Sequence, residues 1–77
     1  MITRAYVLIE TTGLKIGEVA KNLKQVEGVT SVNAVTFPYD FIATVEGESL
    51  GHIHDLVINR IKRVPNICKT NTCVCLD

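Results

Sequence analysis

The feature that most constrains the fold is an internal repeat whose two copies lie 38 residues apart. Residues 23–29 (LKQVEGV) align at that separation with residues 61–67 (IKRVPNI), and Ala5 aligns with Ala43. Each copy combines a strand-like run, a helical run and a second strand-like run, which predicts one βαβ unit per copy. Two βαβ units of equal length in one chain predict a ferredoxin-like βαββαβ fold.

The first half contains one strong strand signal and one strong helix signal. The unbroken apolar run 5–9 predicts a strand that is covered on both faces. Apolar residues at helical spacing predict a helix from Ile16 to Val26, and Gly28 supplies a left-handed stop behind it. Residues 29–37 mix apolar residues with Thr30, Ser31, Asn33 and Thr36, as expected of an edge strand.

The second half repeats this order with clearer helix boundaries. Residues 41–45 predict the third strand, and Ser49 is a natural N-cap for the helix that follows. The apolar stripe of that helix consists of Leu50, Ile53, Val57, Ile61 and Val64. Pro65 and Asn66 end the helix, because asparagine tolerates the left-handed conformation, and residues 67–76 predict the fourth strand.

We therefore expect an α+β class domain spanning residues 1–77, with a four-stranded antiparallel sheet and two helices on one face. Right-handed crossovers place the first and third strands in the centre of such a sheet. Their compositions agree with this order, because the second and fourth strands are the more polar pair. The other face of the sheet is left open.

The open face predicts self-association. Tyr6 and Leu8 of the first strand and Ile42 and Thr44 of the third are expected on it. A contiguous apolar patch on a small protein marks an interaction surface, and a chain of 77 residues has only a small core of its own. We expect a homodimer that forms through these four residues. The dimers can also associate into larger closed assemblies.

Charge and hydropathy exclude several classes of partner. Eight basic and eight acidic residues give zero formal charge, without a basic stripe that would neutralise a phosphate backbone. We therefore expect no direct nucleic-acid binding. No apolar run approaches the roughly 20 residues that span a bilayer, and the first residues do not form a signal peptide. A cytoplasmic protein without membrane contacts is expected.

The cysteines and histidines do not predict a catalytic or metal site. Cys68, Cys73 and Cys75 are odd in number and match no zinc spacing, so we expect them to be small buried hydrophobes. His52 and His54 lie roughly 200° apart around a helix and cannot chelate one metal ion. We expect no cofactor, no catalytic residue and no enzymatic activity.

Five short segments, in the same order along the chain, resemble the ligand-binding (RAM-type) domain of the Lrp/AsnC transcriptional regulators. They are AYVLI (5–9), EGV (27–29), PYD (38–40), IKRVP (61–65) and TNTC (70–73). The resemblance extends from about Arg4 to Leu76 and is greatest to stand-alone members without a helix-turn-helix. It implies an amino-acid-sensing module that affects transcription indirectly, with itself and full-length relatives as partners.

The resemblance also implies a position for the effector, a small amino acid. In this family effectors bind between protomers of neighbouring dimers, near the turn that joins the second and third strands. The matching residues are Tyr39 and Asp40 in the turn and Thr70 and Thr72 on the last strand. A carboxylate can receive an α-ammonium group, and hydroxyls can receive a carboxylate. Phe37 replaces a glycine usual in the family, so the alternative is that it closes this site.

Two other functions share this topology. Residues 12–14 and 18–20 are also similar to ACT domains, which would place an amino acid at the start of the first helix. Dimeric α+β barrel monooxygenases and isomerases have the same size and topology, and fold alone does not decide function. In those enzymes the cavity lies inside the protomer, between helices and sheet. The position of the ligand cleft distinguishes the three hypotheses.

Overall fold

The computed structural model describes residues 1–77 and has the predicted βαββαβ order. The elements are β1 (Thr3–Thr11), α1 (Ile16–Lys24), β2 (Val29–Ala34), β3 (Phe41–Gly47), α2 (Leu50–Leu56) with a π-helical turn (Val57–Ile61) directly after it, and β4 (Ile67–Val74). The chain has the predicted α+β, ferredoxin-like fold. Neither helix has the length and apolar content needed to span a bilayer.

The four strands form one antiparallel sheet in the order β2-β3-β1-β4. The predicted central position of β1 and β3 is confirmed. Ala5 pairs with Val45, and Val7 pairs with Ala43. In the internal repeat Ala5 corresponds to Ala43 and Val7 corresponds to Val45. A half-turn that maps each residue onto its repeat equivalent therefore maps one pair onto the other, so the sheet has an approximate two-fold axis between its central strands.

The repeat is visible in the hydrogen bonds that end the two helical segments. The Val26 amide donates to the Leu23 carbonyl at 3.2 Å, and the Val64 amide donates to the Ile61 carbonyl at 3.1 Å. These are equivalent positions 38 residues apart. The predicted correspondence of the two halves is therefore confirmed at their helix ends.

Both halves turn into their second strand through a left-handed residue. Gly28 has a φ of 98° and Asn66 a φ of 73°. A side chain at Gly28 would also be crowded, because an added Cβ would lie 3.0 Å from Leu56 Cδ2. Glycine is therefore required there by both conformation and space, whereas asparagine suffices in the second half.

The core lies between the helices and one face of the sheet and contains no buried polar side chain. Its fully buried members are Ala5, Val7, Ile9, Val19, Leu23, Phe41, Ala43, Val45, Ile53 and Ile61, with Val26, Leu56, Val57 and Val64 at its margin. The stripe predicted for the second helix is buried from Ile53 onward. Leu50 is 61% exposed, because it is the first residue of α2 and lies beyond the edge of the core.

Several predicted element bounds were wrong: α1 ends at Lys24 instead of Val26, β3 extends to Gly47, and β4 ends at Val74 instead of residue 76. The second strand ends at Ala34 instead of residue 37, where the chain turns towards Pro38. The second helix does not continue as a regular α-helix, because the Lys62 amide donates to the Val57 carbonyl at 2.9 Å across a five-residue turn. Such π-turns insert one extra residue into a helix and are frequent at functional sites.

The cysteines were expected to be buried, and this was wrong for the protomer. Cys68 and Cys73 are exposed, Cys75 is half-buried, and none forms a disulfide. Cys73 pairs with Tyr6 and therefore lies on the open face. Cys68 falls within a register shift between β1 and β4, which leaves it without a partner in the ladder.

Candidate functional site

The open face of the sheet brings together the four residues predicted for self-association. Tyr6 lies directly opposite Thr44, and Leu8 lies opposite Ile42 in the β1–β3 register. The residues that alternate with them are buried under the helices. Tyr6 is 42% exposed in the isolated chain, and the other three are half-buried. The apolar side chains thus form one continuous patch at the centre of the sheet.

Charged residues flank this patch at both ends. Arg4 and Glu46 face each other across β1 and β3, with Nη2 and Oε2 3.0 Å apart. The Glu46 carboxylate raises the pKa of Arg4 by accepting its hydrogen bond and by its charge. At the other end Glu10 lies opposite Lys69. An apolar centre with a charged rim is the usual arrangement of a protein–protein interface.

The turn that carries the predicted effector residues is held firmly to β1. The Asp40 Oδ2 accepts hydrogen bonds from the Thr11 amide at 2.8 Å and from the Thr11 hydroxyl at 3.0 Å. The Asp40 amide donates to the Ile9 carbonyl at 2.8 Å. The other carboxylate oxygen of Asp40, Oδ1, has no hydrogen-bond partner in the chain. One half of this carboxylate therefore braces the turn, and the other half is available to a ligand.

Tyr39 and Phe37 occupy the same turn but have different surroundings. The Asn71 side-chain amide donates to the Tyr39 hydroxyl at 3.0 Å, which ties the turn to β4. Asn71 lies opposite Leu8, so this contact is on the open-face side of the sheet. Phe37 is 93% exposed and contributes nothing to the core. Within the protomer its ring fills no cavity.

Thr70 and Thr72 lie on the opposite face of the sheet. They pair with Ile9 and Val7, both of which are buried beneath the helices. The sheet therefore separates these two threonines from the tyrosine that was predicted to bind the same effector. Within one protomer, the four residues implied by the family resemblance form two separate pairs.

Thr70 and Thr72 line a cleft between β4 and the second helix. The cleft has a volume of about 290 Å³, and its polar lining also includes His54 of α2 and Lys62 just after the π-turn. Its floor includes Ile53, which is buried in the core. Sequence reasoning assigned no role to Lys62. The sequence places Lys62 near the end of the second helix. It does not show that Lys62 lies near Thr70 and Thr72, because this depends on the register of β4.

Two further concavities lie elsewhere on the surface. One, of about 190 Å³, lies at the start of α1 beside Lys15, Glu18 and Asn66, which is where an ACT-like ligand was expected. Its Lys15 Nζ and Glu18 Oε2 atoms lie 3.8 Å apart, and both side chains are largely exposed to solvent. The second, about 410 Å³, lies between the two chain ends, whose Met1 and Leu76 side chains are fully exposed.

Residues 4–77 match the family model of the Lrp/AsnC ligand binding domain. No curated protein matches the chain. Among solved structures, a Thermus thermophilus protein is similar with a TM-score of 0.90 and 25% identity, over 97% of this chain and 94% of that one. The position and order of all secondary structure elements are therefore shared with a protein of nearly the same length.

Two larger regulators share the fold of this chain. Escherichia coli AsnC is similar with a TM-score of 0.89 and 21% identity, over 97% of this chain and 51% of its own. The feast or famine regulatory protein of M. tuberculosis, solved in complex with L-methionine, gives a TM-score of 0.81 and 24% identity, over 97% and 50%. The chain spans about half the length of these two regulators.

Proposed function

This chain belongs to the Lrp/AsnC ligand-binding domain family, and on that premise we propose that it is a self-associating regulatory module that binds a small amino acid. The observation that carries the proposal is the open sheet face, where Tyr6, Leu8 and Ile42 form an apolar patch with charged residues at both ends. A stable fold with so small a core gains most from covering that patch with a second copy.

We propose that the effector binds beside Tyr39 and Asp40, at a junction between protomers. Support comes from Asp40, whose Oδ1 is available to an α-ammonium group while Oδ2 holds the turn in place. Thr70 and Thr72 would reach the same effector only from a second protomer, because in their own protomer they lie on the other face of the sheet. The M. tuberculosis relative, which was solved with L-methionine, makes an amino acid the first effector to test.

The module is proposed to act on transcription indirectly and without enzymatic activity. Zero formal charge provides no electrostatic attraction to a phosphate backbone. Both helices pack on the sheet through their apolar sides, where α1 buries Val19 and Leu23 and α2 buries Ile53 and Leu56. Mixed assembly with full-length regulators of the same family, or competition for their effector, would transmit the signal.

Sedimentation equilibrium at micromolar concentration tests the assembly. The wild-type chain is expected to sediment as at least a dimer of the 8.5 kDa protomer. Leu8→Glu places a charge in the apolar patch and should give a folded or partly unfolded monomer. Leu14→Glu is the matched control, because Leu14 is 65% exposed on a loop away from that face. A monomeric wild-type chain would refute self-association through the open face.

Calorimetric titration with the common amino acids tests the effector site. A bound amino acid should shift the equilibrium between dimers and larger assemblies, since a ligand stabilises the state that it prefers. Asp40→Asn keeps an oxygen for Thr11 but removes the negative charge, and it should abolish binding without unfolding the turn. Absence of heat and of any change in assembly at millimolar amino acid would reject the sensing role, and would support closure of the site by Phe37.

A further inference from the structure

The cleft between the second helix and β4 has the chemistry of a binding site of its own. Its polar groups are His54, Lys62, Thr70 and Thr72, and no acidic side chain lines it. None of these four side chains forms a salt bridge or a hydrogen bond within the chain. One fixed positive charge and several donors thus converge on a small space without an internal acceptor.

The apolar part of the cleft is preformed. Ile53 is 1% exposed and Val57 is 5% exposed, so the floor is held by the core and cannot collapse into the space above it. Ile58 and Val74 extend the apolar wall towards the opening. The volume of about 290 Å³ is just below the range of about 300–1,000 Å³ for ligand clefts, which limits the ligand to a small molecule.

The π-turn supplies an independent reason to assign a function to this region. The Val57 carbonyl accepts from the Lys62 amide, five residues later, so the turn spans the cleft from its floor to its cationic rim. A π-turn is rare in proteins and occurs frequently at functional sites. Here the residue immediately after it is the lysine of the cleft.

The first half of the chain provides a natural comparison. At the equivalent positions, 38 residues earlier, Lys24 corresponds to Lys62, but Ile16 corresponds to His54 and Val32 to Thr70. The concavity beside Lys24 has a similar volume, about 280 Å³. Its Thr30 hydroxyl is already engaged with the Thr44 carbonyl at 3.2 Å. Lysine and volume are therefore common to both halves, whereas His54, Thr70 and Thr72 have only apolar counterparts in the first half.

We propose that the cleft between α2 and β4 binds a short aliphatic carboxylate that lacks an α-ammonium group, such as a branched-chain 2-oxo acid. Lys62 and the hydroxyls of Thr70 and Thr72 receive the carboxylate, and the aliphatic tail contacts Ile53 and Val57. An amino acid is disfavoured, because its ammonium group would enter a cleft with a lysine and no carboxylate. The site does not use Asp40, although Thr70 and Thr72 are also the residues proposed to reach the amino-acid effector from a second protomer.

The test is a pair of titrations with ligands that differ only at the α-carbon. In calorimetry or chemical-shift titration, 4-methyl-2-oxopentanoate should bind saturably to the wild-type chain, at least about tenfold more tightly than L-leucine binds to the same cleft. Lys62→Met should weaken binding of the oxo acid at least about tenfold, since it removes the only charge opposite the carboxylate. Thr72→Val should weaken it less. Chemical-shift changes should map to β4 and the π-turn.

Lys24→Met is the matched control, because it removes the equivalent lysine of the first half and should leave the affinity unchanged. Asp40→Asn should also leave it unchanged, which separates this site from the amino-acid effector site. An absence of saturable binding at roughly 10 mM oxo acid, or equal losses in Lys62→Met and Lys24→Met, would overturn the proposal. So would a shift map confined to the turn around Tyr39.

Discussion

The two βαβ halves have the same backbone plan but different ways of starting their helices. α2 begins at Ser49, whose hydroxyl accepts from the His52 amide at 3.1 Å, while the His52 ring accepts from the Glu48 amide at 3.1 Å. α1 begins at Lys15, a left-handed residue with a φ of 53° and no side-chain cap. The second helix is thus anchored by side chains and the first by its apolar packing alone.

The outer strands differ in chemistry more than in geometry. β4 carries Thr70 and Thr72 at the positions where β2 carries Val32 and Ala34. Both pairs face the helices, but only the pair on β4 supplies hydroxyl groups, and these line the cleft beside α2. Residues common to both halves build the framework, and residues that differ between them supply the polar groups available to a ligand.

The largest expected difference between the halves concerns the left-handed residue at the end of each helix. Gly28→Ala should lower the free energy of unfolding by about 2–4 kcal/mol, from a left-handed alanine and a Cβ 3.0 Å from Leu56. Asn66→Gly should change it by less than about 0.5 kcal/mol, because both residues accept positive φ. Urea denaturation at one fixed protein concentration measures both. Equal effects would show that the crowding at Gly28 is relieved at little cost.

An intermediate effect is expected at the loop that joins the halves. Asp40→Ala removes two hydrogen bonds from a half-buried carboxylate to Thr11 and should cost about 2 kcal/mol. Asp40→Asn should cost less than about 1 kcal/mol, because the amide oxygen still accepts. Thermal unfolding in the absence of ligand distinguishes them. A harmless Asp40→Ala would mean that the turn is held by Tyr39 and the backbone instead.

The smallest effects are expected at the helix starts. Ser49→Ala removes the cap of α2 and should cost about 1 kcal/mol. Lys15→Gly should change stability by less than about 0.5 kcal/mol, because relief of the left-handed conformation is offset by the greater freedom of unfolded glycine. Native-state hydrogen exchange at the first amides of each helix reads out the two changes separately. Increased exchange in α1 after Lys15→Gly would contradict the conclusion that apolar packing anchors the start of this helix.

The order of the elements followed from sequence because local signals and the repeat agreed with each other. Gly28, Ser49 and Asn66 act within a few residues of their own position, so their roles do not depend on the rest of the fold. The open-face placement of Tyr6 and Leu8 followed from simple alternation along a strand. These are the features that a single sequence specifies directly.

The site depended on a property that a single sequence does not specify, the register of β4 against β1. A shift between Glu10 and Thr11 leaves Cys68 unpaired. Since neighbouring residues on a strand face opposite sides, register decides that Cys73 is exposed and that Thr70 faces the helix. The π-turn before Lys62 was not predicted, because no local residue pattern marks it.

The approximate two-fold axis of the sheet has a consequence for how two copies recognise each other. The axis passes between Tyr6 and Thr44, and it relates Leu8 to Glu46 and Arg4 to Ile42. One side of the axis is therefore apolar and the other is an ion pair, although the backbone beneath them is nearly the same.

When two copies are placed with their open faces together, one copy can be rotated by a half-turn about this axis without changing the backbone that it presents. In one orientation Leu8 and Ile42 of both copies share a dry contact. In the rotated orientation, Leu8 and Ile42 would remove water from Arg4 and Glu46 without offering a polar partner, which is unfavourable. For the proposed dimer, one cross-strand pair on each side of the centre would therefore favour a single docking direction on an almost symmetrical surface.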